Sequence, residues 1–345
     1  ACLPSLTANA WYRAELVAYY SKEPEIGAQY QQAYPQARPA RSEEEILEDE
    51  SIQLILTSAI PSQRAGIGIR AMQHGKDFMS DKGAPTTFEQ LEEVKRVQKE
   101  TGRIYSVCFS ERFEVPAAVK AQQLVAEGAI GRVIQTVGLG PHRVGLHNRP
   151  AWFFKKEFYG GILIDIASHQ FDQFLYFTGS TDARVSASHV GNFNHPQFPE
   201  FEDFGEVLLE GNGGTGFIRV DWHTPDGLGV WGDGRLVILG TEGYIELRKY
   251  IDIMGRPGGN HLFLVNQKGK EYMDCSNVEL VYGKQLAFMG GVDTQELLPR
   301  GTAAQVQGQI EKLLEHMTAD GGGYILAASH TVPPETPDEN IFAMY

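Results

Sequence analysis

The hydrophobic pattern of this chain changes near residue 115, and this change constrains the fold more than any other feature. Before it, strand-like runs such as SIQLILTSA (51–59) and RIYSVCFS (103–110) alternate with helix-like segments such as FEQLEEVKRVQKETG (88–102). After it, short strands such as FGEVLLEG and TGFIRVDWH follow one another, with NGG and TEG as turn sequences. Alternating strands and helices predict a parallel sheet, whereas hairpin-spaced strands predict a mostly antiparallel one. We therefore expect an α/β part followed by an α+β part.

The last stretch of the chain follows neither rhythm. From about Met289 it predicts a helix over 302–318, a glycine-rich turn and a short strand over 324–328. A chain of 345 residues is long enough for more than one core. We expect three segments, with bounds 1–115, 116–285 and 286–345.

Composition excludes several classes of partner. A net charge of −14 argues against nucleic acid or an anionic membrane surface as the main partner. The longest apolar runs fall short of the roughly 20 residues that span a bilayer, and the N-terminal sequence ACLPSLTANAW lacks the pattern of a signal peptide. The cysteines, Cys2, Cys108 and Cys275, are few and far apart. This usage is typical of a reducing compartment, so a cytoplasmic location is expected.

One apolar run carries three ionisable groups. In GGILIDIASHQFD (160–172), Asp165, His169 and Asp172 lie at i, i+4 and i+7, on one stripe if the run is helical. Polar groups in apolar surroundings need partners. The pattern is compatible with a satisfied core histidine, with an acid–base site, or with a metal site completed by His142 and His147. No second motif has metal-ligand spacing, so we predict no metal.

Three motifs in order resemble the Gfo/Idh/MocA oxidoreductases. They are HGKDFMSDKGAPTTFEQLEEVKRVQKETG (74–102), EGAIGRV (127–133) and GGILIDIASHQFDQFLYFTG (160–179), within a resemblance that covers about residues 14–285. The resemblance implies a Rossmann-like dinucleotide-binding domain over 1–115 and a substrate and oligomerisation domain over 116–285. It also implies a homo-oligomer that uses NAD(P) to oxidise a small, sugar-like substrate.

The same resemblance places the family's catalytic lysine on Lys82, its carboxylate on Asp165 and its base on His169. Physical chemistry agrees with these roles. Oxidising an alcohol requires a base for the hydroxyl proton, and a histidine with an ordinary pKa near 6.5 suits this task. A lysine can stabilise the developing oxyanion. Asp165 is expected to orient the His169 ring or to bind a substrate hydroxyl, and Asp172 is expected to be structural.

The sequence departs from the family at its phosphate-binding turn. The thirteen residues before Ala14 contain no glycine, whereas that turn needs glycines for close approach to the pyrophosphate. We expect the first strand and this turn to be missing, which leaves an incomplete Rossmann-like parallel sheet. Gly66 and Gly68 lie in a helical pattern, and the glycines at 138 and 140 are not followed by a helix start, so neither pair replaces the turn.

Some contacts with a dinucleotide are still expected. Ser58, Ile60 and Pro61 lie on the loop after a predicted strand, and Lys82 lies on a second such loop. Ser21 and Lys22 end the adenosine-side strand without a carboxylate for the ribose hydroxyls, which favours NADP over NAD. The usual Glu-Lys-Pro of the family here reads Asp81-Lys82-Gly83.

The C-terminal segment carries a second resemblance. GGVDTQELLPRGT and GGGYILAASHTVPPETPDENIFAMY, within about 289–345, resemble the end of the uroporphyrinogen decarboxylase family. In that family the stretch closes a (β/α)₈ barrel and a histidine, here His330, contributes to the pocket. Fewer than sixty residues cannot form a barrel that needs about 250. We therefore expect a short TIM-barrel-like fragment that is a fused or misjoined gene end, and expect His330 to be functionally silent.

The sequence thus predicts an NAD(P)-dependent oxidoreductase of the Gfo/Idh/MocA type that acts on a secondary alcohol of a sugar, polyol or similar molecule. Loss of the phosphate-binding turn is expected to impair it. Two alternatives stay open. The chain is a non-catalytic ligand-binding relative, or it has a decarboxylase- or methyltransferase-related role that is read from its C-terminal segment.

Overall fold

A computed structural model describes residues 15–276, 287–292, 297–317, 323–328 and 336–344. Its first part alternates strands and helices, as predicted. The elements are β1 (Ala18–Tyr19), α1 (Pro24–Ala33), β2 (Arg38–Pro39), α2 (Glu43–Leu47), β3 (Leu54–Thr57), α3 (Pro61–Gln73), β4 (Asp77–Asp81), α4 (Phe88–Thr101) and β5 (Tyr105–Cys108).

The parallel strands of this part form two separate sheets within the described residues. β1 pairs with β2, and β3, β4 and β5 form a three-stranded sheet in that order, with every pair parallel. The predicted parallel sheet is confirmed. Helix α1 was not expected, because PEIGAQYQQA buries no residue and has no clear apolar stripe.

Local signals explain the best-defined helix of this part. Thr87 precedes α4, and its hydroxyl accepts a hydrogen bond from the backbone N–H of Gln90 at 3.2 Å. Gly102 follows the helix with φ 66°, a left-handed conformation that glycine adopts at little cost. These signals lie in the sequence itself, so the helix was predicted to within one residue.

The second part is built on one large sheet. Its elements are α5 (Ser110–Phe113), α6 (Pro116–Ala126), β6 (Val133–Pro141), α7 (Lys156–Tyr159), α8 (Ile162–Asp165), α9 (Ala167–Thr178), β7 (Ala183–Gly191), β8 (Phe204–Gly211), β9 (Thr215–Asp221), β10 (Gly234–Gly240), β11 (Gly243–Lys249), β12 (Asn260–Asn266) and β13 (Gly269–Asp274).

The strand order in this eight-stranded sheet is β13-β12-β11-β10-β6-β9-β8-β7. Only the β6–β9 pair is parallel, so the predicted mostly antiparallel sheet is confirmed. Along most strands, buried residues alternate with partly exposed ones, as expected for a sheet with one covered face.

Two helices cover the buried face. Helix α6 packs small alanines, Ala117, Ala118 and Ala121, against strands β11 and β12. Helix α9 packs on β6 and β9. These contacts place α9, which carries His169, over the middle of the sheet.

The C-terminal segment contains two strands and three helices among its described residues. They are β14 (Ala287–Val292), α10 (Leu297–Arg300), α11 (Ala303–Met317), β15 (Gly323–Ala328) and α12 (Asp338–Ala343). β14 and β15 pair in parallel, and the Asn340 side chain donates to the carbonyls of Leu298 (2.9 Å) and Gly301 (2.6 Å). His330 and Asp293 lie outside the described residues. Among the helices that are described, none combines the length and apolarity needed to span a bilayer.

The two glycines of α3 have different surroundings. A Cβ on Gly68 would lie 2.4 Å from the Tyr105 ring and 2.6 Å from the Phe78 ring, whereas a Cβ on Gly66 would meet nothing within 4 Å. Gly68 therefore lets α3 approach the three-stranded sheet closely. Gly66 is an exposed helix position, so neither glycine forms a phosphate-binding turn.

We predict opposite effects for the two alanine substitutions in α3. Gly68→Ala should lower the free energy of unfolding by about 1–3 kcal/mol, because the methyl group overpacks the two buried rings. Gly66→Ala should raise it by about 0.5–1 kcal/mol through helix propensity. Urea denaturation of both variants checks this. Equal effects would show that α3 does not approach the sheet as described.

Candidate functional site

Lys82 and Asp165 bring the two main parts of the chain together. Lys82 directly follows β4, at the carboxyl end of the three-stranded sheet, and Asp165 is the last residue of α8. The Lys82 Nζ donates to Asp165 Oδ1 at 2.5 Å, across 83 residues of sequence. Both side chains are largely buried, with 23% and 9% of their surfaces exposed. The pair lies where ligands bind in open α/β sheets, beyond the carboxyl ends of the strands.

The backbone around Lys82 is held by two features. Gly83 has φ 83°, which proline cannot adopt, so the departure from the family's Glu-Lys-Pro has a conformational reason. The guanidinium of Arg64 donates to the carbonyls of Ala59, at 2.6 Å, and Lys82. Arg64 thus joins the loop after β3 to the loop after β4.

Asp165 lies at a break between two helices. Gly160 (φ 86°) and Gly161 (φ 97°) make the turn into α8, and Ile166 separates α8 from α9. The run 160–172, which would place its ionisable groups on one stripe as a single helix, is therefore divided between two helices. Burial by itself raises the pKa of Asp165, but the Lys82 charge and hydrogen bond, together with His142 and Arg149, hold it below its usual range. Asp165 is thus a carboxylate at neutral pH.

His169 lies one helical turn further, in the first turn of α9. Its side chain is buried, and within the described residues its Nδ1 has no hydrogen-bond partner. Burial lowers the pKa of His169 to about 4, with the charge of Lys82 acting in the same direction. Asp165 was expected to orient this ring or to bind a substrate hydroxyl; its Oδ1 accepts a hydrogen bond from Lys82. The imidazole is neutral at physiological pH, with an unused nitrogen.

The close packing of α9 on the sheet depends on small residues in β6. A Cβ on Gly138 would lie 2.8 Å from the Gln170 side chain, and one on Gly140 would lie 3.0 Å from it. These glycines, which resemble a nucleotide motif only superficially, therefore allow the neighbour of His169 to approach the sheet. They therefore determine how close the helix that carries His169 lies to the sheet.

A buried ion pair between Lys249 and Glu111 contacts α9 through Gln173. The Lys249 Nζ of β11 donates to Glu111 Oε2 at 2.8 Å and to Gln173 Oε1 at 2.7 Å, with both charged side chains at most 4% exposed. Gln173 donates in turn to the carbonyl of His169 at 2.9 Å. Burial raises the pKa of Glu111, but the charge and hydrogen bond of Lys249, together with His169 and His142, outweigh it and hold that pKa well below its usual range. Sequence reasoning missed this network.

Asp172 has the structural role that was expected. It forms a two-point ion pair with Arg112 of α5, with Nε–Oδ2 at 2.5 Å and Nη2–Oδ1 at 2.9 Å. The contact holds α5 against α9, and among the described residues Lys82 contacts Asp165 and not Asp172. The third residue of the predicted stripe is therefore separate from the site.

Two further residues lie near Asp165 that the sequence did not single out as parts of one site. The His142 ring lies 4.4 Å from Trp231 and 5.3 Å from Trp222, between ring centroids. Burial lowers the pKa of His142 to about 3, and Lys82 contributes. Arg149 lies over the Phe153 ring at 4.3 Å. A metal was considered at His142 and His147, but no group of three metal-ligating side chains occurs in the part of the chain that is described.

The expected cofactor contacts lie in two places. Ser58 and Ile60 lie on the loop between β3 and α3, and Pro61 is the first residue of α3; Arg64 joins this loop to Lys82. Ser21 and Lys22 lie after β1, where the Lys22 side chain is 62% exposed and lies 3.6 Å from Glu43. Ser58, Ile60 and Pro61 therefore lie next to the Lys82 loop, whereas Ser21 and Lys22 belong to a different strand end.

The described residues form a parallel α/β part and a large mostly antiparallel sheet, with a lysine–carboxylate pair between them. Comparison with known proteins gives the family. The model of the GFO/IDH/MocA C-terminal domain matches residues 118–246. A crystal structure of a candidate oxidoreductase from Erwinia carotovora atroseptica has 49% identity and a TM-score of 0.76, over 78% of this chain and 81% of that one. The chain belongs to the Gfo/Idh/MocA family, as its motifs predicted.

The curated relatives include several dehydrogenases. The scyllo-inositol 2-dehydrogenase (NAD(+)) of Bacillus subtilis is 28% identical over 231 residues, which are 66% of this chain and 62% of that protein. The levoglucosan dehydrogenase of Pseudarthrobacter phenanthrenivorans is 27% identical over 46% of this chain and 42% of its own length. This chain thus spans less than two thirds of these relatives.

The second resemblance is found as well. The uroporphyrinogen decarboxylase (URO-D) model matches residues 269–345. The match begins earlier than the expected 289, at β13, which pairs with β12 as an edge strand of the large sheet. Sequence similarity to that family therefore extends into a strand that the sheet uses.

The buried Lys249–Glu111 pair leads to a stability prediction. Lys249→Met should lower the free energy of unfolding by about 3–5 kcal/mol, because it leaves the Glu111 carboxylate buried without a counter-charge. The double variant Lys249→Met/Glu111→Gln should recover part of that loss. Urea denaturation at neutral pH measures both. A single variant as stable as the wild type would mean that the pair is not buried as described.

Proposed function

We propose that this protein is an NAD(P)-dependent dehydrogenase that oxidises a secondary alcohol of a sugar, polyol or similar small molecule. The observation that carries the proposal is the Lys82–Asp165 contact beside a neutral, buried His169. Family membership supports it, and relatives include both NAD and NADP enzymes.

The roles follow from charge and position. His169, with an unused nitrogen, accepts the hydroxyl proton of the substrate. The Lys82 ammonium stabilises the oxygen as it gains negative charge, and its positive charge also disfavours protonation of His169 before substrate binds. Asp165 holds the ammonium in place. A bound nicotinamide supplies the hydride acceptor.

The residues around Lys82 fit the nicotinamide end of such a cofactor. The loop with Ser58, Ile60 and Pro61 lies beyond β3, next to the Lys82 loop, and Arg64 keeps the two together. Residues 1–20 contain no glycine, whereas the usual pyrophosphate turn needs glycines. We propose that the loops after β3 and β4 supply the cofactor contacts of the described residues.

Other expectations stay predictions. The exposed ammonium of Lys22 supports a preference for NADP, although Glu43 lies close to it. A homo-oligomer would use the partly exposed face of the large sheet, and a cytoplasmic location is expected from the cysteine usage. The competing function is a non-catalytic ligand-binding relative, which would bind a sugar without reducing NAD(P).

Absorbance of NAD(P)H with a panel of sugars and polyols tests the proposal. Cofactor-dependent turnover by the purified chain supports a dehydrogenase. Sugar binding without any cofactor binding or turnover would overturn it in favour of the non-catalytic relative.

Substitution of the base gives a sharper expectation. His169→Gln should lower kcat for alcohol oxidation by about a hundredfold or more, because no other group takes the proton. His74→Gln, at an exposed position of the first part, is the matched control and should leave the rate unchanged. Steady-state rates with a substrate found in the panel measure both. A His169→Gln variant with normal kcat would exclude this residue as the base.

The pH profile provides an independent check. Since the pKa of His169 is about 4, the base is deprotonated at higher pH, and its titration should leave the oxidation rate flat down to about pH 5. The rate should fall only as pH drops through about 4, where the imidazole gains its proton. An acid limb near pH 6.5 would show that His169 titrates as an ordinary exposed histidine.

A further inference from the structure

Arg149 is held rigidly at the edge of the candidate site. Its Nε donates to the carbonyl of Val144 at 2.9 Å. Its guanidinium carbon lies 4.3 Å from the Phe153 ring centroid and 5.1 Å from that of Trp222. Phe153 and Trp222 are themselves buried. An arginine packed against two fixed rings keeps its fork of donors in one orientation.

Within the described residues, the terminal nitrogens of this fork have no hydrogen-bond partner. In the part of the chain that is described, no carboxylate lies within 4 Å of the Arg149 guanidinium, and its only hydrogen bond is the one from Nε. Burial lowers the pKa of Arg149, and the charge of Asp165 acts against that shift. Asp165 is already bound to Lys82.

The charges of the site therefore do not balance. Lys82 and Asp165 neutralise each other, and Arg64 lies 3.7 Å from Asp81. His142 and His169 are neutral at physiological pH, because burial lowers the pKa values of both. Among the described residues Arg149 has no ion-pair partner of its own, since the charge of Asp165, which acts on it, is shared with Lys82. A partly buried guanidinium without a counter-charge is unfavourable, and a bound anion would relieve this.

We propose that Arg149 binds a carboxylate of the substrate, so that this protein acts on a sugar acid rather than on a neutral sugar. The two terminal guanidinium nitrogens match the two oxygens of a carboxylate, and such paired hydrogen bonds are among the strongest in proteins. The remaining hydroxyl groups of the acid would face Lys82 and His169. This inference rests on the proposed function, since it assigns the substrate class of the same site.

The test compares acids with amides of the same shape. D-glucuronate and D-glucuronamide, with the corresponding galacturonate and gluconate pairs, differ only in whether the terminal group is charged. Calorimetry on the full chain measures their affinities without requiring turnover. We expect at least one acid to bind about tenfold or more tightly than its amide. Arg149→Met should abolish this preference, and Arg149→Lys should keep part of it, since it retains the charge but loses the fork.

A matched control comes from the same segment. Arg143, whose Nη1 lies 3.9 Å from Asp226, is already paired, so Arg143→Met should retain the preference for the acid. Circular dichroism checks that each variant is folded. If Arg149→Met does not fold, Arg149→Lys is compared with the wild type in its place. Equal affinity for acid and amide, no binding of any acid, or an unchanged preference in a folded Arg149→Met or Arg149→Lys variant would each overturn the inference.

The outcome separates this inference from the proposed function. Turnover of neutral sugars without any preference for acids would leave the dehydrogenase standing and remove the role of Arg149. A preference for acids that depends on Arg149, in a protein that never reduces NAD(P), would keep the carboxylate site and remove the dehydrogenase.

Discussion

The contact between Lys82 and Asp165 organises the site. It joins a loop of the α/β part to a helix end of the large-sheet part, 83 residues away, at 2.5 Å. An ammonium and a carboxylate that are both mostly withdrawn from water need each other, because either alone would be strongly disfavoured. The supporting features follow from this need: Gly83 permits the backbone turn after Lys82, and Arg64 binds the Lys82 carbonyl.

Other charges around the site are compensated in the same way, with one exception. Glu111 pairs with Lys249 below α9, and Asp172 pairs with Arg112 beside it. These pairs fix the helix that carries His169 without taking part in chemistry. Arg149 lacks such a partner among the described residues, and the imbalance is what points to a charged substrate.

Local sequence signals predicted much of the fold, because they act over a few residues. The caps of α4, the strand alternation of the large sheet and the hairpin turns were readable directly, and the family motifs pointed to Lys82, Asp165 and His169. The sequence did not reveal that Asp165 binds Lys82 rather than orienting His169. Such pairings join residues far apart in the chain, and no periodicity records them.

Other misses have similar causes. The Lys249–Glu111 pair spans 138 residues, and each member looks in the sequence like an ordinary surface charge. Arg149 lies in a segment without regular pattern, so its packing on two rings had no local signal. A literal G-x-G-x-x-G at residues 211–216 lies in the β8–β9 hairpin and not at a strand-to-helix turn, which shows how little that spacing means without its context.

A double-mutant cycle on Lys82→Met and Asp165→Asn tests the central claim most directly. The free energy of unfolding of the wild type, the two single variants and the double variant gives the coupling between the side chains. We predict a favourable coupling energy of about 0.5–3 kcal/mol between Lys82 and Asp165, because each single variant leaves a partly buried group without its partner. Additive effects, with no coupling, would contradict it, since the two parts of the chain would then not meet through this pair.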